Sequence, residues 1–148
     1  MRRDGDARLT NELEHDVEKP HKKLKVWQQS MELVTSVYRI TASLPVEEKY
    51  GLTSQIRRSA VSIVSNIAEG AARQSNAEFA RFLCTSLGSL SELDTQLDVC
   101  NRLGFLSTEA HQSLNRSLTE IDRMLIGLRN SVRRRQKPDS PKLEKPNT

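Results

Sequence analysis

Apolar side chains recur at steps of three and four residues along four consecutive stretches of the sequence, and this spacing constrains the fold more than any other feature. It places the apolar residues of each stretch on one face of an α-helix. The stretches cover about residues 24–43, 53–72, 76–101 and 108–132, with Pro45 and Gly104 at two of their ends. No stretch alternates apolar and polar residues as a half-buried strand does. The sequence therefore predicts an all-α fold.

Four helices of about 20 to 27 residues with short connections pack most readily as antiparallel neighbours. The predicted architecture is therefore an antiparallel up-down four-helix bundle. Because only 4% of the residues are aromatic, aliphatic side chains must supply most of the core. The predicted apolar positions, helix by helix, are Trp27, Met31, Leu33, Val34, Val37, Tyr38, Ile40, Leu44; Ile56, Ala60, Ile63, Val64, Ile67; Phe79, Phe82, Leu83, Leu87, Leu90, Leu93, Leu97, Cys100; and Leu114, Leu118, Ile121, Leu125, Leu128, Val132.

Hydroxyl side chains stand where three of the helices should begin, and each can accept a hydrogen bond from a free amide of the first turn. Ser75 and Glu78 have the spacing of a capping box at the third helix. The expected caps of the second and fourth helices are Thr53 or Ser54, and Ser107 or Thr108.

Charge separates the predicted bundle from its two extensions. The 148 residues suit one domain, which we expect over residues 21–133, between a loosely ordered extension at 1–20 and a disordered basic tail at 134–148. Residues 133–148 hold six basic and two acidic side chains, a net charge of +4, which equals the net charge of the whole chain. A basic tail can bind the phosphates of a nucleic acid, and it can equally be a solvated segment.

Several function classes find no support in the sequence. The three histidines are His15, His21 and His111, and none of the four predicted helices carries a Glu-x-x-His pair of the kind that forms bundle metal sites. No Gly-rich phosphate loop is present. We therefore expect no enzymatic activity, no catalytic residue, no metal and no cofactor.

The sequence also bears on the location of the protein. Without a secretory signal or an apolar span, we expect a cytoplasmic protein with no membrane contact. Its Cys84 and Cys100 are then expected to remain reduced packing residues.

A line of polar residues follows the second predicted helix. Gln55, Ser62, Asn66, Glu69 and Arg73 fall within one narrow stripe, and Glu69 can pair with Arg73 one turn later. Next to the stripe is a glycine, Gly70, which costs about 1 kcal/mol relative to alanine in a helix interior and so indicates either close backbone approach or a helix end.

The third predicted helix carries a matching feature in "LGSLSEL", residues 87–93. Gly88 and Ser89 are small enough to let a neighbour approach, and Glu92 and Gln96 follow one turn apart. Two interpretations of these runs remain open: a solvated face with small-residue packing, or an ordered polar seam at a contact between helices or subunits.

Arginines are the candidates for nucleic-acid binding. They are scattered over three helices, so one subunit creates a diffuse positive field that a ring of subunits would multiply. Aromatic residues that could stack on bases are nearly absent from the polar stretches, so we expect electrostatic, weakly sequence-specific binding. The candidates are Arg57, Arg58, Arg73, Arg133, Arg134 and Arg135.

The segments "KVWQQSMELVTSVYRIT", "YGLTSQIRRSAVSIVSNIAEG", "SNAEFARFLCTSLGSLSELDTQL" and "LIGLRNSV" resemble successive blocks of the four-helix bundle protein family. Its members are also called 23S ribosomal RNA intervening-sequence proteins, because some are encoded within inserts of bacterial large-subunit rRNA genes. The resemblance covers about residues 24–132. Its specific parts are "SNIAEG" and "GSLSEL". Many relatives place a proline just before the signature asparagine, where this chain has Val64 and Ser65, which indicates a straighter second helix here.

The resemblance implies a homo-oligomeric ring, usually a pentamer, and it assigns the signature and assembly residues Asn66, Glu69, Gly70, Gly88, Ser89 and Glu92. The family is similar to the accessory protein of diversity-generating retroelements, a basic pentamer that binds nucleic acid and a reverse transcriptase. We therefore expect a non-enzymatic homo-oligomeric bundle that binds RNA or a nucleic-acid-handling protein. The alternative is a purely structural or protein-interaction oligomer that does not bind nucleic acid.

Overall fold

The computed structural model describes residues 18–136, which form four α-helices. They are α1 (Lys25–Thr41), α2 (Leu52–Ala71), α3 (Asn76–Arg102) and α4 (Thr108–Arg134). Two short 3-10 turns, Pro20–Lys23 and Val46–Glu48, precede α1 and α2. Residues 18–136 contain no strand, so the predicted all-α class is confirmed.

Each helix packs on the two helices that adjoin it in a closed square. Consecutive helices contact one another and α4 returns to α1, whereas no Cα atoms of the diagonal pairs come within 8 Å of each other in residues 18–136. The predicted four-helix bundle is therefore confirmed. The most extensive contact is that between α2 and α3. The largest fully buried side chains come from all four helices: Val37, Thr41, Ile56, Ile63, Ile67, Leu83, Leu93, Leu97, Leu114, Ile121, Leu125 and Val132.

The apolar face of α1 is narrower than its sequence predicts. Leu33 and Val37 are buried, whereas Met31 is 39% and Tyr38 is 44% exposed. Trp27 and Val34, from the same stripe as Met31 and Tyr38, are half-buried against the core. Only part of a helix circumference can face the bundle interior, so Met31 and Tyr38 are left at the surface. The rotation of α1 thus presents Tyr38 to solvent.

The starts of α3 and α4 follow the prediction. Ser75 Oγ accepts a hydrogen bond from the Glu78 amide at 3.1 Å, and the Ser75 hydroxyl donates to Glu78 Oε2 at 3.2 Å. In the same way, Ser107 Oγ accepts from the Ala110 amide at 3.1 Å. These bonds satisfy amides that have no partner within the helix.

The predicted cap of α2 at Thr53 or Ser54 is wrong. The helix already begins at Leu52, after Gly51, which has no side chain to cap it. Instead, the Leu52 amide donates to Glu48 Oε2 at 3.1 Å, so a carboxylate from the preceding 3-10 turn caps the helix. This position also suits the negative charge, because the amino end of a helix is electropositive.

Gly104 ends α3 as predicted, in the left-handed conformation with a φ of 75°. The Phe105 amide donates to Cys100 O at 2.9 Å and the Gly104 amide to Asn101 O at 3.1 Å. These are the two bonds of a Schellman motif, which satisfies the last carbonyls of a helix.

The predicted extensions, 1–20 and 134–148, lie outside the described residues except at 18–20 and 134–136. Of the positions that are described, Pro20 opens the first 3-10 turn and Arg134 is the last residue of α4. Within residues 18–136, no helix combines the length and the apolar character needed to cross a membrane.

Candidate nucleic-acid interface

Hydrogen bonds connect α2 to α3 along a line that we call the seam, formed by Ser59, Ser62, Asn66, Ser86, Ser89 and Gln96. Ser62 Oγ and Ser89 Oγ lie 2.8 Å apart, and Asn66 Nδ2 donates to Ser62 O at 2.8 Å and to Ser62 Oγ at 3.1 Å. Two of the signature residues, Asn66 and Ser89, thus belong to one ordered contact between helices.

The buried part of the seam was missed by the sequence analysis. Ser59 Oγ donates to Gln96 Oε1 at 3.0 Å, and Ser86 Oγ donates to Ile63 O at 3.0 Å. Gln96 Nε2 also donates to Glu92 Oε1 at 3.3 Å. Every buried polar side-chain atom in residues 18–136 has a hydrogen-bond partner. The available signal was a serine at a core-facing position of each apolar helix, which requires a partner across the contact.

Gly70 lies where the end of α2 packs closely against the first turns of α3. A Cβ atom placed on Gly70 would lie 2.6 Å from Phe82 Cβ and 2.9 Å from Phe79 Cδ2. Gly70 is buried and α2 ends one residue later, at Ala71. Both features that the sequence indicated for this glycine, a close approach and a helix end, are therefore present.

The remaining signature residues are at the surface of the bundle. Glu69 and Arg73 form the predicted i,i+4 ion pair, with 3.4 Å between Oε1 and the guanidinium, and both side chains are largely exposed. Gly88 and Glu92 are exposed as well, and a Cβ on Gly88 would meet nothing within 4 Å. The small-residue packing predicted at Gly88 is thus not made within one bundle. The polar stripe divides into an ordered seam and a solvated edge.

The nucleic-acid candidates occupy two separate ends of the bundle. At the first end, Arg57 and Arg58 line an open groove of about 590 Å³ together with Tyr38, Lys49 and Tyr50. We call it the tyrosine groove. Its three cations and two phenol rings come from the last turns of α1, the α1–α2 connection and the first turns of α2.

At the second end, two candidate arginines rest on the first turns of α3. The Arg73 guanidinium carbon lies 5.0 Å from the centroid of the Phe82 ring, and an Arg133 nitrogen lies 3.3 Å from Cys84 Sγ. Arg134 is exposed at the end of α4 and Arg135 directly follows it. The 14 residues from Arg57 to Ala71, the last residue of α2, separate the two ends by about 21 Å.

Tyr38, Lys49 and Tyr50 were not among the predicted site residues. Tyr38 is 19 positions from Arg57 in sequence, and only the rotation of α1 in the bundle brings the two together. The sequence could have indicated the other pair. Lys49 and Tyr50 are adjacent in a polar connection, and Tyr50 does not belong to the apolar face of any predicted helix.

A group of titratable side chains lies between α3 and α4, away from the groove. His111 Nε2 is 2.9 Å from Asp98 Oδ1. Burial raises the pKa of the nearby Asp94 carboxyl above its ordinary value; the negative charges of Asp98 and Asp122 add to this rise and His111 opposes it. In the part of the chain that the structure describes, no cluster of three His, Cys, Asp or Glu side chains is arranged to hold a metal ion.

The two cysteines are free thiols. Cys100 is buried in the core, and its pKa is raised by burial and by the negative charge of Glu48. A raised pKa keeps the thiol protonated and unreactive, so Cys100 is a packing residue as predicted.

The chain forms a closed square of four antiparallel helices, two of which are joined by the hydrogen bonds of the seam. This arrangement places it in the class of small four-helix bundle proteins. Within that class, the chain belongs to the family of 23S rRNA-intervening sequence proteins, whose profile matches residues 22–127. The family suggested by "SNIAEG" and "GSLSEL" is therefore confirmed.

A solved structure supports the same assignment. The chain is similar to a protein of unknown function from the S23 ribosomal protein family of Bacteroides thetaiotaomicron, with 30% sequence identity and a TM-score of 0.67. The match covers 71% of this chain and 95% of the other. No curated protein matches the sequence. Neither the description of the family nor that of this neighbour names an enzymatic activity.

Proposed function

We propose that the protein is a non-enzymatic, homo-oligomeric bundle that binds RNA mainly through electrostatic contacts. The observation that carries this proposal is the convergence of Lys49, Arg57 and Arg58 on one open groove, which no carboxylate of residues 18–136 lines. Neither Arg57 nor Arg58 forms an ion pair with another described residue. Both guanidinium charges therefore remain available to a phosphate backbone.

Oligomerisation would strengthen such binding, because every additional subunit adds another tyrosine groove and another basic end. The resemblance to ring-forming relatives supports a homo-oligomer, which we propose to be a pentamer. The exposed Gly88 supports it too, since a glycine with open space beside it suits close approach by a second copy.

The proposal also places the protein in the cytoplasm, where Cys84 and Cys100 stay reduced. Its partner is RNA or a protein that handles nucleic acid.

The proposal is tested by measuring the affinity for a labelled structured RNA by fluorescence anisotropy over a series of salt concentrations. We expect the affinity to fall steeply with salt, because binding releases counterions from the phosphates. The slope of log K against log salt is negative, and the double variant Arg57→Ala/Arg58→Ala should make it shallower by about 1.4 to 1.8, the contribution of two phosphate contacts.

The matched control is Arg102→Ala/Arg116→Ala, which removes the same charge from exposed positions outside the groove. This control should change the slope by much less than the groove variant. Equal losses in the two double variants would show a diffuse field and would contradict a role for the groove. A wild-type protein that does not bind RNA at low salt would refute the proposal as a whole.

A second candidate, a protein-interaction oligomer without nucleic-acid binding, is favoured by the signature residues at the edge of the seam. Glu69 is exposed and Asn66 is half-buried beside it. If these residues assemble the subunits, Asn66→Ala/Glu69→Ala should abolish the oligomer in light scattering while circular dichroism shows intact helices. An unchanged mass would count against the assembly role of both residues.

A further inference from the structure

The tyrosine groove combines cations with two exposed aromatic rings. Tyr38 lies in the last turn of α1, and Tyr50 lies in the connection that leads to α2. Tyr50 is 88% exposed. An aromatic ring that is not buried contributes little to the core, so its place beside Lys49 and the two arginines indicates a role in binding.

The arginine next to Tyr38 is held in place. The Arg57 guanidinium carbon lies 4.6 Å from the centroid of the Tyr38 ring. Its Nε donates to Thr41 Oγ1 at 3.0 Å and one terminal nitrogen donates to Tyr38 O at 3.4 Å. A guanidinium has five N–H donors, so most of them remain for a ligand. Because the side chain is already ordered, little conformational entropy is lost when it binds.

The second ring has a cation beside it as well. Lys49 Nζ lies 5.5 Å from the centroid of the Tyr50 ring. The groove therefore offers positive charge next to two flat apolar faces, and Thr53 and Ser54 add hydroxyl groups to its wall. A ligand that fits must be a polyanion with flat groups that can stack.

We infer that the tyrosine groove binds single-stranded RNA, with a base stacked on Tyr50 and backbone phosphates on Lys49, Arg57 and Arg58. The inference rests on the proposed function and specifies its site and the form of RNA. Unpaired bases can be splayed out onto aromatic side chains, whereas a duplex keeps its bases stacked inside. An acidic peptide would use the cations but would leave the exposed Tyr50 ring without a stacking partner, so a single strand fits the groove better.

The test compares two labelled probes, an oligouridine of about 12 nucleotides, which is within the site sizes of single-strand binders, and an RNA duplex of the same length. We expect Tyr50→Ala to lower the affinity for the single strand by about 5- to 150-fold, the range for losing one stacked base. The affinity for the duplex and the salt slope should not change, because no charge is removed.

Two further variants keep this result specific. Tyr50→Phe retains the ring and should bind the single strand as the wild type does. Val46→Ala removes another exposed apolar side chain, 78% exposed, from the same connection. Val46 does not line the groove, so the affinity of this variant should also be that of the wild type. Because both side chains are exposed, neither change should unfold the bundle.

Several results would overturn the inference. The first is that the Tyr50→Ala protein binds oligouridine as tightly as the wild type does. The second is that this variant loses equal affinity for the single strand and for the duplex. The third is that polyglutamate competes for the groove as well as oligouridine does. In the first two cases the wild type still binds RNA, so the proposed function stands and only the stacking site fails. A wild type that binds neither RNA probe at low salt refutes both.

Discussion

Replacing Gly70 with alanine tests how closely α2 and α3 approach. The added Cβ would lie 2.6 Å from Phe82 Cβ and 2.9 Å from Phe79 Cδ2. Carbon atoms in ordinary contact are about 3.5–4.0 Å apart, so the two helices would have to separate by roughly 1 Å at this turn. The Phe82 Cβ is fixed by the backbone of α3 and cannot rotate away.

The expected magnitude follows from two opposing effects. Overpacking of this kind costs about 1–3 kcal/mol. Alanine is favoured over glycine by up to about 1 kcal/mol in a helix interior, and by less at Gly70, which is the residue before the last in α2. We therefore expect Gly70→Ala to lower the free energy of unfolding by about 1–2 kcal/mol, or roughly 2–8 °C in Tm.

The assay is urea unfolding followed by far-UV circular dichroism, with Gly127→Ala as the matched control. Gly127 is exposed on α4 and a Cβ there would meet nothing within 4 Å. The control should therefore raise the stability by about 0.5–1 kcal/mol. If Gly70→Ala stabilises the protein as the control does, the close approach of α2 and α3 at this turn is refuted.

Two further predictions concern assembly and pH. If the protein forms the proposed homo-oligomer, we expect Gly88→Ala to lower its mass in light scattering. A Cβ at this position meets nothing within its own bundle, so only another subunit can resist it. An unchanged mass would exclude Gly88 from the contact. We expect Asp94→Asn to stabilise the protein at pH 7, because the raised pKa of Asp94 means that its ionised form is less favourable in the folded state than in the unfolded state. That cost disappears as the pH falls through the raised pKa of Asp94. The advantage of the variant in urea unfolding should therefore shrink toward about pH 4. An advantage that grows on acidification would contradict the direction of the shift.

Local patterns predicted the helices and most of their ends, because these depend on residues close together in sequence. The caps at Ser75 and Ser107 and the Schellman motif at Gly104 each involve residues within one or two turns. The start of α2 was mispredicted because its capping group, Glu48, comes from a 3-10 turn without a helical repeat, and only the fold of the connection places that carboxylate at Leu52.

The candidate site was less predictable, because its parts come together only in the packed bundle. The sequence identified Arg57 and Arg58 as cations but could not place them beside Tyr38, since that contact depends on the rotation of α1. The buried bond between Ser59 and Gln96 spans 37 positions and likewise depends on how α2 and α3 pack. The role of Gly70 could be predicted from the sequence. A glycine lowers the stability of a helix interior relative to alanine, so its presence in α2 already required a structural reason.

The most direct test of the proposed function is the salt dependence of RNA binding by the wild-type protein. The three cations of the tyrosine groove, if each neutralises one phosphate, should give log K a slope against log salt of about −2 or steeper, and steeper still if several subunits bind one RNA. Lack of measurable binding at low salt, or an affinity that does not change with salt, would contradict the proposal that this bundle binds nucleic acid through its arginines.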